Sequence, residues 1–220
     1  NFTTGKEAID DLRSSKVRES QYVKSLNSAY KNVFGRVCNK TCNHELRSNS
    51  HLVRARFRLY QILHKLHIKE SRGVVKYLKT RGQSGILEDT ITSLAHHWIL
   101  DINGNKINKP TRAEVLSLIE KLHTQKQTQR ALVAKKPAPA ALSIPDDACH
   151  YHESIESQRT LTVREMARIQ SFPDWFEVKS KVTTGGSMRK FEVPQYTQIG
   201  NAVPPLLGRA LGRVVKHWIS

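Results

Sequence analysis

The chain has little that would direct it to a membrane or to an oxidising compartment. It has three cysteines, an odd number that argues against a secreted disulfide scaffold. A reducing, cytoplasmic setting is expected. No apolar run approaches the ~20 residues a membrane span needs, so no membrane partner is expected. The opening Asn1-Phe-Thr-Thr-Gly-Lys-Glu7 lacks the apolar core of a signal peptide. It also lacks an initiator Met, which favours a fragment of a larger protein. Acidic side chains are scarce: 19 Asp and Glu stand against 36 Lys and Arg, a formal charge of +17. That balance implies a polyanionic partner, with nucleic acid first. Apolar residues make up 38% of 220, enough for the core of one large or two small domains.

What is present falls into four stretches. Residues 1–35 form a polar, charge-mixed segment, with a weakly patterned helix expected over 25–33. Residues 36–134 begin with Cys38, Cys42 and His44. Their spacing would suit zinc, but a structural site needs four ligands and the remaining cysteine, Cys149, is far along the chain. A polar loop is the expectation, and no metal. A helix is predicted over 50–66, with Val53, Phe57, Tyr60 and Leu63 on the apolar face. Arg54, Arg58, Gln61 and Lys65 fall opposite, facing either phosphate or solvent. Arg72-Gly73 and Arg81-Gly-Gln-Ser-Gly85 read as turns beside basic side chains. A second helix is expected over 87–100, then a turn at Asp101-Ile-Asn-Gly104. Thr111-Arg-Ala-Glu114 is a capping box opening a third helix. Residues 135–158 are a connector: three prolines between 135 and 147 exclude a regular helix or a central strand.

Residues 159–220 are the densest in signals. Thr162-Val-Arg-Glu165 is another capping box, and Pro173 stops the helix it begins. Arg164 and Arg168, four apart, share one side of that helix. Segments 175–178 and 189–193 alternate around a glycine-containing tip, predicting a small antiparallel hairpin. Ile199-Gly-Asn-Ala-Val-Pro-Pro205 leads into a final helix with proline at its first position. Its face of Leu206, Leu207, Ala210, Leu211, Val214, Val215 and Trp218 is too apolar to expose and is expected to pack on something larger.

The run Arg-x-Leu-Thr-x-Arg-Glu-x-Ala-Arg-x-Gln-x-Phe-Pro-Asp at 159–174 and the run Gln-Ile-Gly-Asn-Ala-Val-Pro-Pro at 198–205 resemble the last two conserved blocks of the DNA cytosine-5 methyltransferases. Asn43-His-Glu-Leu-Arg47 and Ile144-Pro-Asp-Asp147 with His150-Tyr151 resemble, more weakly, segments of some bacterial members. The resemblance implies an enzyme of two lobes. This chain would be α+β and mostly helical, the target-recognition and C-terminal lobe without the Rossmann-like catalytic sheet. Residues 36–134 would recognise the target, and 159–220 would close onto the catalytic lobe. Asn201, Ala202 and Val203 would lie nearest S-adenosylmethionine. Double-stranded DNA would be the partner, in a bacterial restriction-modification setting near the nucleoid. Candidate DNA contacts are Arg54, Arg58, Arg72, Arg81, Arg130, Arg164 and Arg168.

The family reaction uses a Cys thiolate that adds to C6 of a flipped cytosine, making C5 nucleophilic. The family's Phe-x-Gly-x-Gly, Pro-Cys-Gln, Glu-Asn-Val and Gln-x-Arg-x-Arg motifs are absent from this chain. None of its cysteines lies between proline and glutamine. No catalytic residue is therefore assigned, and the chain alone is expected to be inactive. It would need a catalytic lobe of the same protein or a separate catalytic subunit. The alternative is a DNA-binding module without enzymatic activity; a third reading is a scaffold protein.

Overall fold

The computed structural model describes residues 2–31, 41–126, 129–139, 148–183 and 191–219. The chain forms two compact units, both discontinuous in sequence. The first comprises Asn1–Leu46, Val133–Pro145 and Leu161–Ser220, and the second Arg47–Leu132 and Asp146–Thr160. The units are not the four consecutive segments of the sequence reading, because the first residues pair with the last third of the chain.

In the first unit, α1 (Gly5–Ile9) starts at a capping box between Thr4 and Glu7, and α2 (Gln21–Ala29) starts at Ser20, whose hydroxyl accepts from Val23 N. A 3-10 turn, Asp10–Arg13, lies between them. The chain at 134–136 supplies carbonyls to two orphan amides of α1: Gly5 N donates to Lys136 O at 2.9 Å and Lys6 N to Ala134 O at 3.1 Å. Ala8, Ile9, Val23 and Leu26 are buried in this unit, as are Val163, Met166, Ala167, Tyr196 and Ile199 from two further helices.

The second unit is built around α3 (His51–Leu63), with α4 (Ile68–Lys79), α5 (Glu88–Ala95) and α6 (Arg112–Lys121). The capping box at Thr111 and Glu114 forms as expected. Phe57, Ile62, Val74, Leu78, Leu94, Leu100, Ile119 and Leu122 make up much of its core. Full burial of each large side chain contributes roughly 1.5–3 kcal/mol before entropy.

Residues 55–63 of α3 are all buried, so this helix has no solvated arginine face over that span. The expected helix over 87–100 ends at Ala95, and Ile99–Leu100 is instead strand β1, paired antiparallel with β2 (Lys106–Ile107). The turn between them is closed by Asp101, whose Oδ1 accepts from Asn103 N at 2.9 Å and Asn105 N at 2.8 Å. Gly104 sits at φ +88°, a conformation that L side chains rarely adopt. Strands β3 (Arg130–Ala131) and β4 (Ala148–Cys149) pair in parallel.

The described chain is therefore α+β, helical in part, with two small two-stranded sheets. Its antiparallel hairpin lies at 99–107. At the C-terminal position predicted for a hairpin, the described residues 175–183 and 191–193 contain no strand, and residues 184–190 lie outside the described set. Side chains of Asn43, Gln195 and Gln198 bond the backbone there instead of a ladder.

Candidate functional site

Helix α7 (Val163–Ile169) carries the first motif block. Thr162 N donates to Glu165 Oε2 at 2.8 Å, and Glu165 N donates to Thr162 Oγ1 at 3.1 Å, the reciprocal cap read from the sequence. The helix is unusual in burying its charges. Arg164 is 0% exposed and Arg168 1%. Arg164 donates to three backbone carbonyls: Nε to Cys42 O and Nη1 to Pro173 O, both at 2.8 Å, and Nη2 to Phe176 O.

Arg168 grips Asp174 with two prongs and reaches Asp11 Oδ1 with Nη1 at 2.6 Å. Burial pushes the Asp174 carboxyl up, but the Arg168 guanidinium outweighs it and holds the group below the usual carboxylate range. Asn27 completes the cluster, donating to Asp174 Oδ2 and accepting from Asp174 N. Tyr22 donates its hydroxyl to Arg168 O at 2.7 Å. Burial raises the Tyr22 phenol to about 12. Through Asp11, Tyr22 and Asn27, the N-terminal helices are tied to the first motif block.

Asn43 and His44 join the same block. Asn43 sits at φ +61° and pairs with Val178 as a strand would, donating Nδ2 to Val178 O and accepting at Oδ1 from Val178 N, both at 2.9 Å. Its carbonyl accepts from Arg164 N at 2.8 Å. His44 Nε2 lies 2.9 Å from Leu12 O, which can only accept, so Nε2 carries the hydrogen. Nδ1 then accepts from the Thr162 hydroxyl, also at 2.9 Å. Both His44 nitrogens are thus engaged by protein. Among the described residues no group of three or more His, Cys, Asp or Glu could hold a metal ion; Cys38 lies outside them.

The second motif block lies on α8 (Gln195–Asn201) and α9 (Pro205–Ile219). Tyr196 Oη donates to Leu161 O at 2.6 Å, Gln170 Nε2 to Ile199 O at 3.2 Å, and Leu206 N to Ser171 Oγ at 3.0 Å. The two blocks are therefore bonded directly to each other. Gln195 and Gln198 hold the chain at 179–181: Gln195 N donates to Lys181 O, Gln195 Nε2 to Ser180 O, and Gln198 Nε2 to Lys179 O and Val193 O. This bracing takes the place of the predicted hairpin ladder.

Asn201 is the last residue of α8 rather than the cap of α9, while Pro205 opens α9 as expected. Asn201 and Val203 are exposed and Ala202 is half-buried. An exposed amide beside an exposed valine can form one wall of a site for a molecule with polar and apolar parts, but it is an edge rather than an enclosed pocket. Helix α9 has no buried residue along its length. Leu207, Leu211, Val214, Val215 and Trp218 lie on one face at helical spacing, and Trp218 is 81% exposed.

The structure separates the seven arginines taken as DNA contacts. Arg58 is buried with Arg164 and Arg168: Nε donates to Trp98 O at 2.9 Å, Nη1 to Glu153 Oε2 at 3.0 Å, and the guanidinium lies 3.9 Å over the Trp98 ring. Burial lowers its pKa, and Glu153 opposes that. These three are corrected: their charge is consumed by carbonyls and carboxylates, and no surface remains to meet a phosphate. Arg54 is half-buried and donates to Ile155 O at 3.1 Å. Arg72 and Arg81 are exposed, as is Arg130 on β3. Sequence reasoning missed Asp11, Tyr22, Asn27 and Gln195. Each acts over a long sequence distance, and Asn27 and Gln195 stand in no motif.

The family model of the C-5 cytosine-specific DNA methylases matches residues 5–217. The chain belongs to that family, whose reaction is methyl transfer to cytosine in DNA. Among curated proteins, it is 38% identical over 116 residues to the Type II methyltransferase M.AquIB of Picosynechococcus, covering 52% of this chain and 79% of that one. It is 52% identical over 63 residues to M.AplI of Arthrospira platensis, covering 29% of this chain and 15% of the relative. It is 39% identical over 83 residues to M.BsuRI of Bacillus subtilis, covering 36% and 19%. The chain thus spans less than a fifth of the length of M.AplI and M.BsuRI, whereas M.AquIB is itself short. No solved structure matches the chain. No described helix is long and apolar enough to cross a membrane.

Proposed function

We propose that this chain is the target-recognition and C-terminal part of a DNA cytosine-5 methyltransferase, active once a catalytic lobe joins it. The observation that carries this reading is α9: fifteen residues, none buried, with an apolar face that ends in Trp218. An exposed face of that kind marks an interaction surface. The catalytic lobe is the partner proposed for it, as a separate chain or as part of the same protein. The matched share of M.AplI and M.BsuRI is small, which leaves room in those relatives for a further lobe.

In this reading the catalytic lobe contributes the nucleophile, and the chain alone transfers no methyl group. S-adenosylmethionine supplies the methyl group when bound. Asn201, Ala202 and Val203 line one wall of its site, and the bonds from Tyr196 to Leu161 and from Leu206 to Ser171 hold that wall to the first block. Duplex DNA is the substrate, met through the net charge of +17 and through Arg54, Arg72, Arg81 and Arg130. The setting is a bacterial restriction-modification system, in the cytoplasm and at the nucleoid.

The test is co-expression of this chain with a tagged catalytic lobe. The wild-type chain is expected to co-purify with the lobe, and Leu211→Arg/Trp218→Arg to be lost from it while keeping the helical circular dichroism of the wild type. Co-purification of the double variant at wild-type yield would refute the assigned role of α9.

A further inference from the structure

Helix α4 carries a second concentration of charge that the motif blocks do not use. Lys69, Arg72, Lys76 and Lys79 are spaced three, four and three apart, so they fall within one narrow stripe. All four are exposed. Among the described residues, the side chains of Lys69, Arg72 and Lys76 make no hydrogen bond or ion pair. The one carboxylate on α4, Glu70, is engaged by its own cap and by α5: it accepts from His67 N and from Ser93 Oγ at 2.7 Å.

Beside the stripe is a cleft of about 300 Å³. Lys69, Gly73 and Lys76 form one side of it, and Ser84, Gly85 and Ile86 the other. Gly73 lies in the middle of a twelve-residue helix, where glycine is costly relative to alanine. No packing explains it, because a Cβ added there would meet no atom within 4 Å. A glycine where nothing crowds it suits close approach of a ligand to the backbone.

The far wall is a braced turn. Gly82 N donates to Tyr77 O at 3.0 Å, Gln83 N to Thr80 O at 3.2 Å and Gly85 N to Gly82 O at 3.1 Å, while the Thr80 hydroxyl is bonded to Ser84. This turn holds Arg81 exposed at φ +51°, a region unfavourable for a residue with a Cβ.

We propose that this cleft, with the stripe on α4, is the track for one phosphodiester strand of duplex DNA. The inference rests on the duplex-DNA reading above and adds the surface that holds the backbone. From Lys69 to Lys79 the helix rises about 15 Å, long enough to meet successive phosphates of one strand. The cations suit their charge, the glycine lets the strand approach, and the cleft has no carboxylate among the side chains lining it. Contacts of this kind position the duplex without reading its sequence.

The test is binding of the full chain to a fluorescent duplex of randomised sequence between 50 and 200 mM salt. The variant is Lys69→Gln/Arg72→Gln/Lys76→Gln, and Lys16→Gln/Arg18→Gln/Lys24→Gln is a control of equal charge change. Glutamine propagates a helix about as well as lysine, and circular dichroism checks the fold. The α4 variant is expected to lose about 2–3 units of the log–log salt slope, and the control far less. Gly73→Leu is expected to weaken binding about tenfold by filling the cleft, without lowering thermal stability.

Equal losses in the two triple variants, or an unchanged slope in the α4 variant, would overturn the track and leave the duplex-DNA reading standing. Absence of duplex binding by the wild type would overturn both. Equally tight binding to single-stranded RNA or to phosphatidylserine vesicles, lost equally in the α4 variant, would overturn the assignment to DNA.

Discussion

Arg168 and Asp174 face each other across the end of α7 in a two-pronged ion pair, Nε to Oδ1 at 2.7 Å and Nη2 to Oδ2 at 2.8 Å, with both side chains buried. Asp11 and Asn27, from the opposite end of the sequence, complete the pair. Its role is architectural. A buried pair of this geometry adds little over a well-packed apolar replacement, but removing one partner strands a charge. Arg168→Met is therefore expected to destabilise the fold by about 3–5 kcal/mol, and Arg168→Met/Asp174→Asn by clearly less. Urea denaturation of the three proteins measures the difference. A single variant as stable as the wild type would show that the pair does not hold this unit together.

The same pair makes stability depend on pH at the acid end. The folded-state pKa of Asp174 lies below its unfolded value, near ~3.9 for a free aspartate. Such a group contributes stability that is fully present above the unfolded value and is lost as pH falls through the folded one. The wild type is expected to hold its melting temperature from pH 7 to about 5 as far as this group is concerned, and to lose it progressively below about 4. Asp174→Asn is expected to start lower and to fall less steeply over that acid range. Parallel melting curves for the two proteins across pH 3–7 would contradict the assignment.

Arg58 tests the distinction between structural and DNA-facing arginines. Its guanidinium spans the Trp98 carbonyl, the Trp98 ring and Glu153. Arg58→Ala is expected to cost about 2–4 kcal/mol through lost charged hydrogen bonds and the vacated ring contact. The folded variant is expected to keep the wild-type salt slope for DNA. A slope reduced by about one unit in a stably folded Arg58→Ala protein would return this residue to the set of phosphate contacts.

Local chemistry was legible in the sequence where the bonds are local. The capping boxes at Thr111 and Thr162 formed, and Pro205 opened α9, because cap and partner lie within one turn. Long-range pairing was not legible. Asn43 serves Val178, and Asp11 serves Arg168, across sequence separations that carry no periodic signal. Spacing sets Arg58 opposite the apolar face, toward phosphate or solvent, because helical periodicity reports only which residues share a side. The carbonyl of Trp98 and the carboxylate of Glu153, which make its burial tolerable, come from other elements. The hairpin expected at 175–193 shows the opposite failure: its described residues alternate as a strand would, but Gln195 and Gln198 satisfy the backbone instead. The motif blocks themselves were readable, and the family model over residues 5–217 agrees with them.

The most direct measurement is transfer of tritiated methyl from S-adenosylmethionine into duplex DNA, with this chain alone, the catalytic lobe alone, and the two together. The account predicts transfer only in the combination, because the chain lacks a Pro-Cys-Gln nucleophile and the lobe lacks the DNA-holding surface and the wall at Asn201, Ala202 and Val203. Transfer by this chain alone would contradict it, as would a combination that is folded, associated and bound to DNA yet transfers nothing.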